Sequence, residues 1–208
     1  MSVKAVIFDL DGVIVSTDDC HYRAWKKLAK EEGIYFDRTI NERLRGISRM
    51  DSLNIVLETA DKQYTQEEKA ALAARKNGYY VNFIQDLTPQ DILPGVYETL
   101  EHLKAKGIKI AIGSSSKNTP IILKQLGLAD MFDAVSDGNT ITRSKPDPEV
   151  FVKAAQHLGI PCTDCAIVED ADAGILAGKQ AGMLTFAVGN AKGSDHHLDS
   201  MTDLLNYL

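Results

Sequence analysis

The 208-residue sequence has only three cysteines, too few and too odd in number for a disulfide framework, which fits a reduced compartment. Cys162 and Cys165 make a single C-x-x-C, but the second pair of ligands that a structural zinc site needs is missing. The cysteines and the His196-His197 pair are therefore read as structural or surface residues. No apolar run approaches the roughly 20 residues needed to span a bilayer. No charged, apolar and small-residue leader precedes the first strand, so a cytoplasmic location is expected. Positive charge is in the minority, with 23 Lys and Arg against 29 Asp and Glu and a formal net charge of −6. That balance argues against nucleic acid or an anionic membrane as the main partner. It leaves phosphorylated small molecules open, because a local cluster of cations suffices to bind them. There is no internal repeat, low-complexity segment or long heptad, and a monomer is the expectation. What remains, 44% hydrophobic and 25% charged, suits one large domain or one domain carrying an insertion.

The informative stretch is Lys4-Ala5-Val6-Ile7-Phe8-Asp9-Leu10-Asp11-Gly12. Val6, Ile7 and Phe8 form the short β-branched and aromatic run of a buried parallel strand. Asp9 and Asp11 follow, and on an extended segment residues two apart point the same way. Both carboxylates are thus expected to face one spot at the strand's C-terminal end, where open α/β sheets bind ligands. Two such acids repel unless a cation or proton intervenes, and Mg²⁺ favours one or two carboxylates with a substrate phosphate. The blander reading is a polar turn, since Asp and Gly are common turn residues.

Residues 18 to 87 hold no convincing strand. Asp18 or Asp19 can cap a helix whose apolar positions Ala24, Trp25, Leu28 and Ala29 recur at helical spacing, with Gly33 ending it. Further helices are expected over Thr39–Leu44, Arg49–Ala60 and from Thr65 to Ile84. After Pro94 strands and helices alternate. Strands are expected at 108–113, 134–135, 166–168 and, as the last one, 184–188. Helices are expected at 96–106, 119–126, 148–158 and 172–181. This predicts an α/β fold, a doubly wound, Rossmann-like parallel sheet with an inserted four-helix cap. The core would comprise 1–17 and 88–208, and the cap 18–87.

Polar residues then collect on one rim of the expected sheet. Strand one offers Asp9 and Asp11, the 108–113 strand offers Ser114 and Ser116, a loop offers Lys145 before Pro146, and the 166–168 strand offers Glu169 and Asp170. The carboxylates suit a metal, and the hydroxyl and ammonium suit an anion. In order and spacing, Asp9-Leu10-Asp11-Gly12, Ser114, Lys145-Pro146 and Glu169-Asp170 resemble the four motifs of the haloacid dehalogenase-like superfamily of phosphotransferases. The helical insertion resembles that superfamily's four-helix cap.

The resemblance implies roles. Asp9 would be the nucleophile that forms an aspartyl-phosphate, and Asp11 the general acid and base. Mg²⁺ would sit on the Asp9 carboxylate, the Asp11 backbone carbonyl and Asp170, with Glu169 nearby. Ser114 and Lys145 would hold the transferring phosphoryl oxygens. The segments His21-Tyr22-Arg23-Ala24-Trp25, Leu44-Arg45-Gly46-Ile47-Ser48-Arg49, Arg75-Lys76-Asn77 and Ser116-Lys117-Asn118 resemble the superfamily's sugar-phosphate mutases. They imply a sugar-phosphate substrate, with Arg49, Ser116, Lys117 and Asn118 around the phosphate that is not transferred. Backbone at Gly46 and Ile47 would lie against the sugar, and His21 and Lys76 at the interface of cap and core. A sugar-phosphate phosphatase of the same superfamily is the alternative. A phosphatase needs one phosphate site, whereas a mutase must hold a bisphosphate by both ends. Read singly, Arg49, Lys76, His21 and Lys117-Asn118 are also ordinary surface, core or helix-start residues. Ser16, where relatives carry an acid, the loop Gly113-Ser114-Ser115 and the region after Gly189 depart from the family pattern.

Overall fold

The computed structural model describes residues 3–44 and 47–208. Its centre is β1 (Ala5–Phe8), buried at every position. Parallel strands flank it on both sides, β2 (Lys109–Gly113) and β4 (Cys165–Glu169), in the register Ile7 opposite Ala111 and Ile167. With β3 (Ala134–Ser136), β5 (Leu184–Ala187) and β6 (His196–His197) they form a sheet in the order β3-β2-β1-β4-β5-β6. A strand covered on both faces must be apolar throughout, which is why Val6 and Phe8 join one buried cluster and Ala5 and Ile7 another.

Four helices stand between β1 and the next strand-forming half: α1 (Asp18–Glu32), α2 (Arg38–Glu42), α3 (Arg49–Val56) and α4 (Gln66–Ile84). Trp25, Leu28 and Ala29 of α1 bury against Leu53 and Val56 of α3 and Leu72 and Ala73 of α4, a core of their own. The capping box of Thr65 and Glu68 starts α4, and Gly33, in a left-handed conformation, ends α1. The sheet's remaining helices are α5 (Val96–Ala105), α6 (Thr119–Gln125), α7 (Glu149–Leu158) and α8 (Asp172–Gln180). Among the described residues, no helix is long and apolar enough to cross a membrane.

Three expectations need correction. The strand at 184–187 is not the last, because His196–His197 add a sixth; two residues are too few to show a strand's alternation. The helix expected over 49–60 stops at Val56 and tightens into a 3-10 turn at Leu57–Thr59. Neither Asp18 nor Asp19 caps α1: the N-cap position is Thr17, and its hydroxyl is engaged elsewhere.

Glycine is required where elements close on the rim. At Gly12, φ is +83°, and a β-carbon there would overlap the Asp170 carboxylate. At Gly174, in the first turn of α8, a β-carbon would overlap the Glu169 carboxylate. Gly174→Ala is therefore expected to destabilise the protein by about 1–3 kcal/mol, despite alanine's better helix propensity. Urea unfolding measures it, and an unchanged or raised midpoint would contradict the close packing.

Candidate active site

The ends of β1, β2 and β4 and the loop before α7 bring the sheet-borne candidates together. Asp9 continues β1, its N–H donating to the carbonyl of Val168 at 2.9 Å. Lys145, 6% exposed, donates to both Asp9 and Glu169, the latter at 2.5 Å. The Glu169 carboxylate also accepts the backbone N–H groups of Asp170 and Ala171 at 2.8 and 2.9 Å, which locks it at the start of α8. Burial pushes the Asp9 carboxyl well above the usual carboxylate range, with Lys145 opposing the rise and Glu169 and Asp170 adding to it. Burial alone would lower the Lys145 ammonium, but Asp9 and Glu169 outweigh it and hold it above the ordinary lysine value. Lys145 therefore stays a cation.

Carboxylate oxygens of Asp9, Glu169 and Asp170 lie within 4.8 Å of one another. An all-oxygen, acidic set of this size fits a hard divalent cation. The Asp11 carboxylate does not join that set, contrary to the expectation that both acids of the motif face one spot. Its Oδ1 accepts the Thr17 backbone N–H at 2.6 Å and its Oδ2 the Thr17 hydroxyl at 2.7 Å. The reason is local: β1 ends at Phe8 and the chain bends at Leu10, between the two acids, so the period of two is lost after Asp9.

Ser114, 4% exposed, follows β2, and its Oγ accepts the Ser116 backbone N–H at 3.2 Å. The Ser116 hydroxyl accepts the Asn118 N–H in the same way at 3.2 Å, so the loop is wound by its own serines. Lys117 is exposed, whereas Asn118 is buried and its Nδ2 donates to Asn77 Oδ1 of α4 at 2.9 Å. That bond ties the loop after β2 to the helical layer.

The helical layer contributes a second group of candidates. Lys76 of α4 is 2% exposed and lies 2.8 Å from His21 Nδ1, with its ammonium 4.7 and 4.8 Å from the ring centres of Trp25 and Tyr80. Burial, seconded by Arg49, lowers its pKa to about 7, and Asp11 works the other way. Burial, Lys76 and Arg49 also keep His21 well below the usual histidine value. A neutral imidazole accepting at Nδ1 carries its proton on Nε2, which lies 3.9 Å from Asp11 Oδ2. Arg49 opens α3 behind the Ser48 cap, half-buried, and among the described residues no carboxylate lies within 4.0 Å of it. Ile47 is partly exposed just ahead of it, and Gly46 lies outside the described residues. Thr17 and Tyr80 were missed in the sequence. Nothing in their spacing marks them: Thr17 counts through its hydrogen bonds to Asp11, and Tyr80 through its hydrogen bond to Thr17 and its stack on His21.

A family model described as haloacid dehalogenase-like hydrolase matches residues 3–182. The chain belongs to this family. It is 47% identical to a curated beta-phosphoglucomutase of Bacillus subtilis over 97% of this chain and 92% of that protein. It is 32% identical to a fructose-1-phosphate phosphatase of Escherichia coli, over 86% of this chain and 92% of that one. Among solved structures, a beta-phosphoglucomutase from Clostridium difficile superposes with a TM-score of 0.92 at 43% identity, covering 99% of this chain and 95% of that one.

A buried lysine with a pKa near 7 makes stability depend on pH. The unfolded chain binds this proton up to pH 10.5 and the folded one only to about 7, so stability rises between those values. Lys76→Met should remove the penalty and stabilise the protein at pH 6 by up to about 5 kcal/mol, with the gain shrinking towards pH 10. Denaturant titrations at both values test it, and a gain that does not depend on pH would show that Lys76 is not a buried charge.

Proposed function

We propose that the chain is a phosphomutase that interconverts beta-D-glucose 1-phosphate and glucose 6-phosphate through beta-glucose 1,6-bisphosphate. The observation that carries this reading is the full-length likeness to beta-phosphoglucomutases together with a second cationic site, Arg49, on a different element from Asp9 and Lys145. Desolvation lowers the Arg49 pKa, and with no carboxylate beside it among the described residues this half-buried guanidinium is suited to a ligand phosphate. Ser116, Lys117 and Asn118 would complete that subsite from the core, with the backbone at Gly46 and Ile47 along the sugar.

In this reading Asp9 attacks the phosphoryl group and becomes the aspartyl-phosphate, splitting one difficult transfer into two. Ser114 donates a hydrogen bond to the transferring oxygens. Lys145 supplies a fixed positive charge beside them. Mg²⁺ on Asp9, Asp170 and the Asp11 backbone carbonyl, with Glu169 alongside, would neutralise developing charge. Asp11 gives a proton to the leaving sugar oxygen and takes one from the incoming hydroxyl. His21 and Lys76 would orient the sugar. The helices over 18–87 would act as a cap on the core of 1–17 and 88–208, closing to exclude water so that a sugar hydroxyl is the acceptor. A monomeric cytoplasmic enzyme acting on a small sugar phosphate, with no nucleic acid or membrane partner, completes the proposal.

The deciding assay supplies beta-glucose 1-phosphate, Mg²⁺ and a trace of the bisphosphate, and compares glucose 6-phosphate with free phosphate. Glucose 6-phosphate should dominate, and predominant release of free phosphate would favour a sugar-phosphate phosphatase instead. Arg49→Ala should lower mutase turnover by roughly 100-fold or more while hydrolysis of a small aryl phosphate falls far less, as loss of a charged contact to phosphate implies. Equal losses would remove Arg49 from the second phosphate site.

A further inference from the structure

The Lys145 ammonium has three protons to give, and among the described residues it has two hydrogen-bond partners, Asp9 and Glu169. A third contact is of a different kind. The ring of Phe151, in the first turn of α7, lies under the ammonium with its centroid 4.7 Å from Nζ. Phe151 is fully buried and shares an apolar cluster with Ile7 of β1. The end of β2 also fixes its place. Gly113 is the last residue of that strand, directly before Ser114. A β-carbon there would stand 2.6 and 2.8 Å from Cδ1 and Cε1 of the ring and 3.0 Å from Ile7 Cγ2. The absence of a side chain at Gly113 is what lets the ring come so near the strand end.

The face of an aromatic ring carries partial negative charge and attracts a cation, most strongly where water is excluded. Lys145, with a side chain 4% exposed, is such a cation. A buried oxygen in the ring's place would claim the third ammonium proton with a lone pair. The ring attracts the charge as a whole and has no lone pair to offer. The ammonium is thereby held from three elements, the ends of β1 and β4 and the start of α7. We infer that Phe151 is a positioning residue for phosphoryl transfer, whose ring face supports the Lys145 ammonium where its remaining proton can meet the transferring oxygens. The inference rests on Lys145 being the cation beside those oxygens. Phe151 acts only through Lys145.

Phenylalanine analogues with one, two and three ring fluorines, placed at position 151, drain the negative face in steps and barely change the size of the ring. In the assay with beta-glucose 1-phosphate, Mg²⁺ and bisphosphate, turnover should fall with each fluorine. The loss should reach roughly five- to thirtyfold at the third, the range for a desolvated cation over a ring. KM and thermal midpoint should stay close to the parent's. Hydrolysis of a small aryl phosphate, which engages only the transferring site, should fall in step. A flat series, a loss that follows the thermal midpoint instead of the fluorine count, or a loss confined to the sugar reaction would each overturn the role given to Phe151. Lys145→Gln separates this from the underlying reading. If it retains substantial turnover, the assignment of Lys145 fails, whereas if it is inactive and the fluorine series is flat, only the inference about Phe151 fails.

Discussion

The buried Lys145 ammonium, held between Asp9 and Glu169, is the interaction on which the rest of this structure depends. Three charges taken out of water are costly unless each is paired and hydrogen-bonded. Here Glu169 is further satisfied by two backbone N–H groups, and Asp9 is packed against the end of β4. Bringing these residues together requires β1 and β4 to be neighbours, a loop that carries Lys145 back over the rim, and Gly12 and Gly174 to leave room for the carboxylates. The sheet order and the glycines are therefore one constraint seen from two sides. One lysine cannot balance Asp9, Glu169 and Asp170 together. Their oxygens, gathered within 4.8 Å of one another, suit a hard divalent cation.

The helical layer meets this centre through an apolar seam, where Ala24, Tyr80 and Ile84 join the buried cluster of Val6 and Phe8, and through a few polar contacts. Asn77 with Asn118, Tyr80 with Thr17, and His21 beside Asp11 all join residues of α1 or α4 to the core loops. The apolar residues around Trp25 bury among themselves. Lys76 costs this region stability, since a desolvated ammonium held near neutrality is a poor structural element.

Much of this was legible beforehand. Trp25, Leu28 and Ala29 showed their buried face by helical spacing, and Val6-Ile7-Phe8 read as a buried strand because a parallel strand covered on both faces has no polar side. Asp9, Ser114, Lys145, Glu169 and Asp170 could each be placed at a strand end or in a rim loop from the apolar runs beside them. The two-residue β6 was not legible, nor was the early end of α3, because both depend on what packs beside them rather than on a local pattern. The orientation of Asp11 is not legible either: an alternation argument holds only while the backbone stays extended, and the bend at Leu10 ends that condition.

The amino-acid sequence alone determined the alternation of strands and helices, the identity of the residues at each strand end, and the kind of chemistry they can perform. These are matters of local periodicity and side-chain type, which neighbours in the chain fix. Only the tertiary structure decided which groups meet. It paired Lys145 with Asp9 across 136 positions, turned Asp11 towards Thr17, and set Tyr80, 63 positions away, behind that bond. Such contacts depend on sheet order and on how a separate helical layer seats on its rim, and no short-range pattern encodes either.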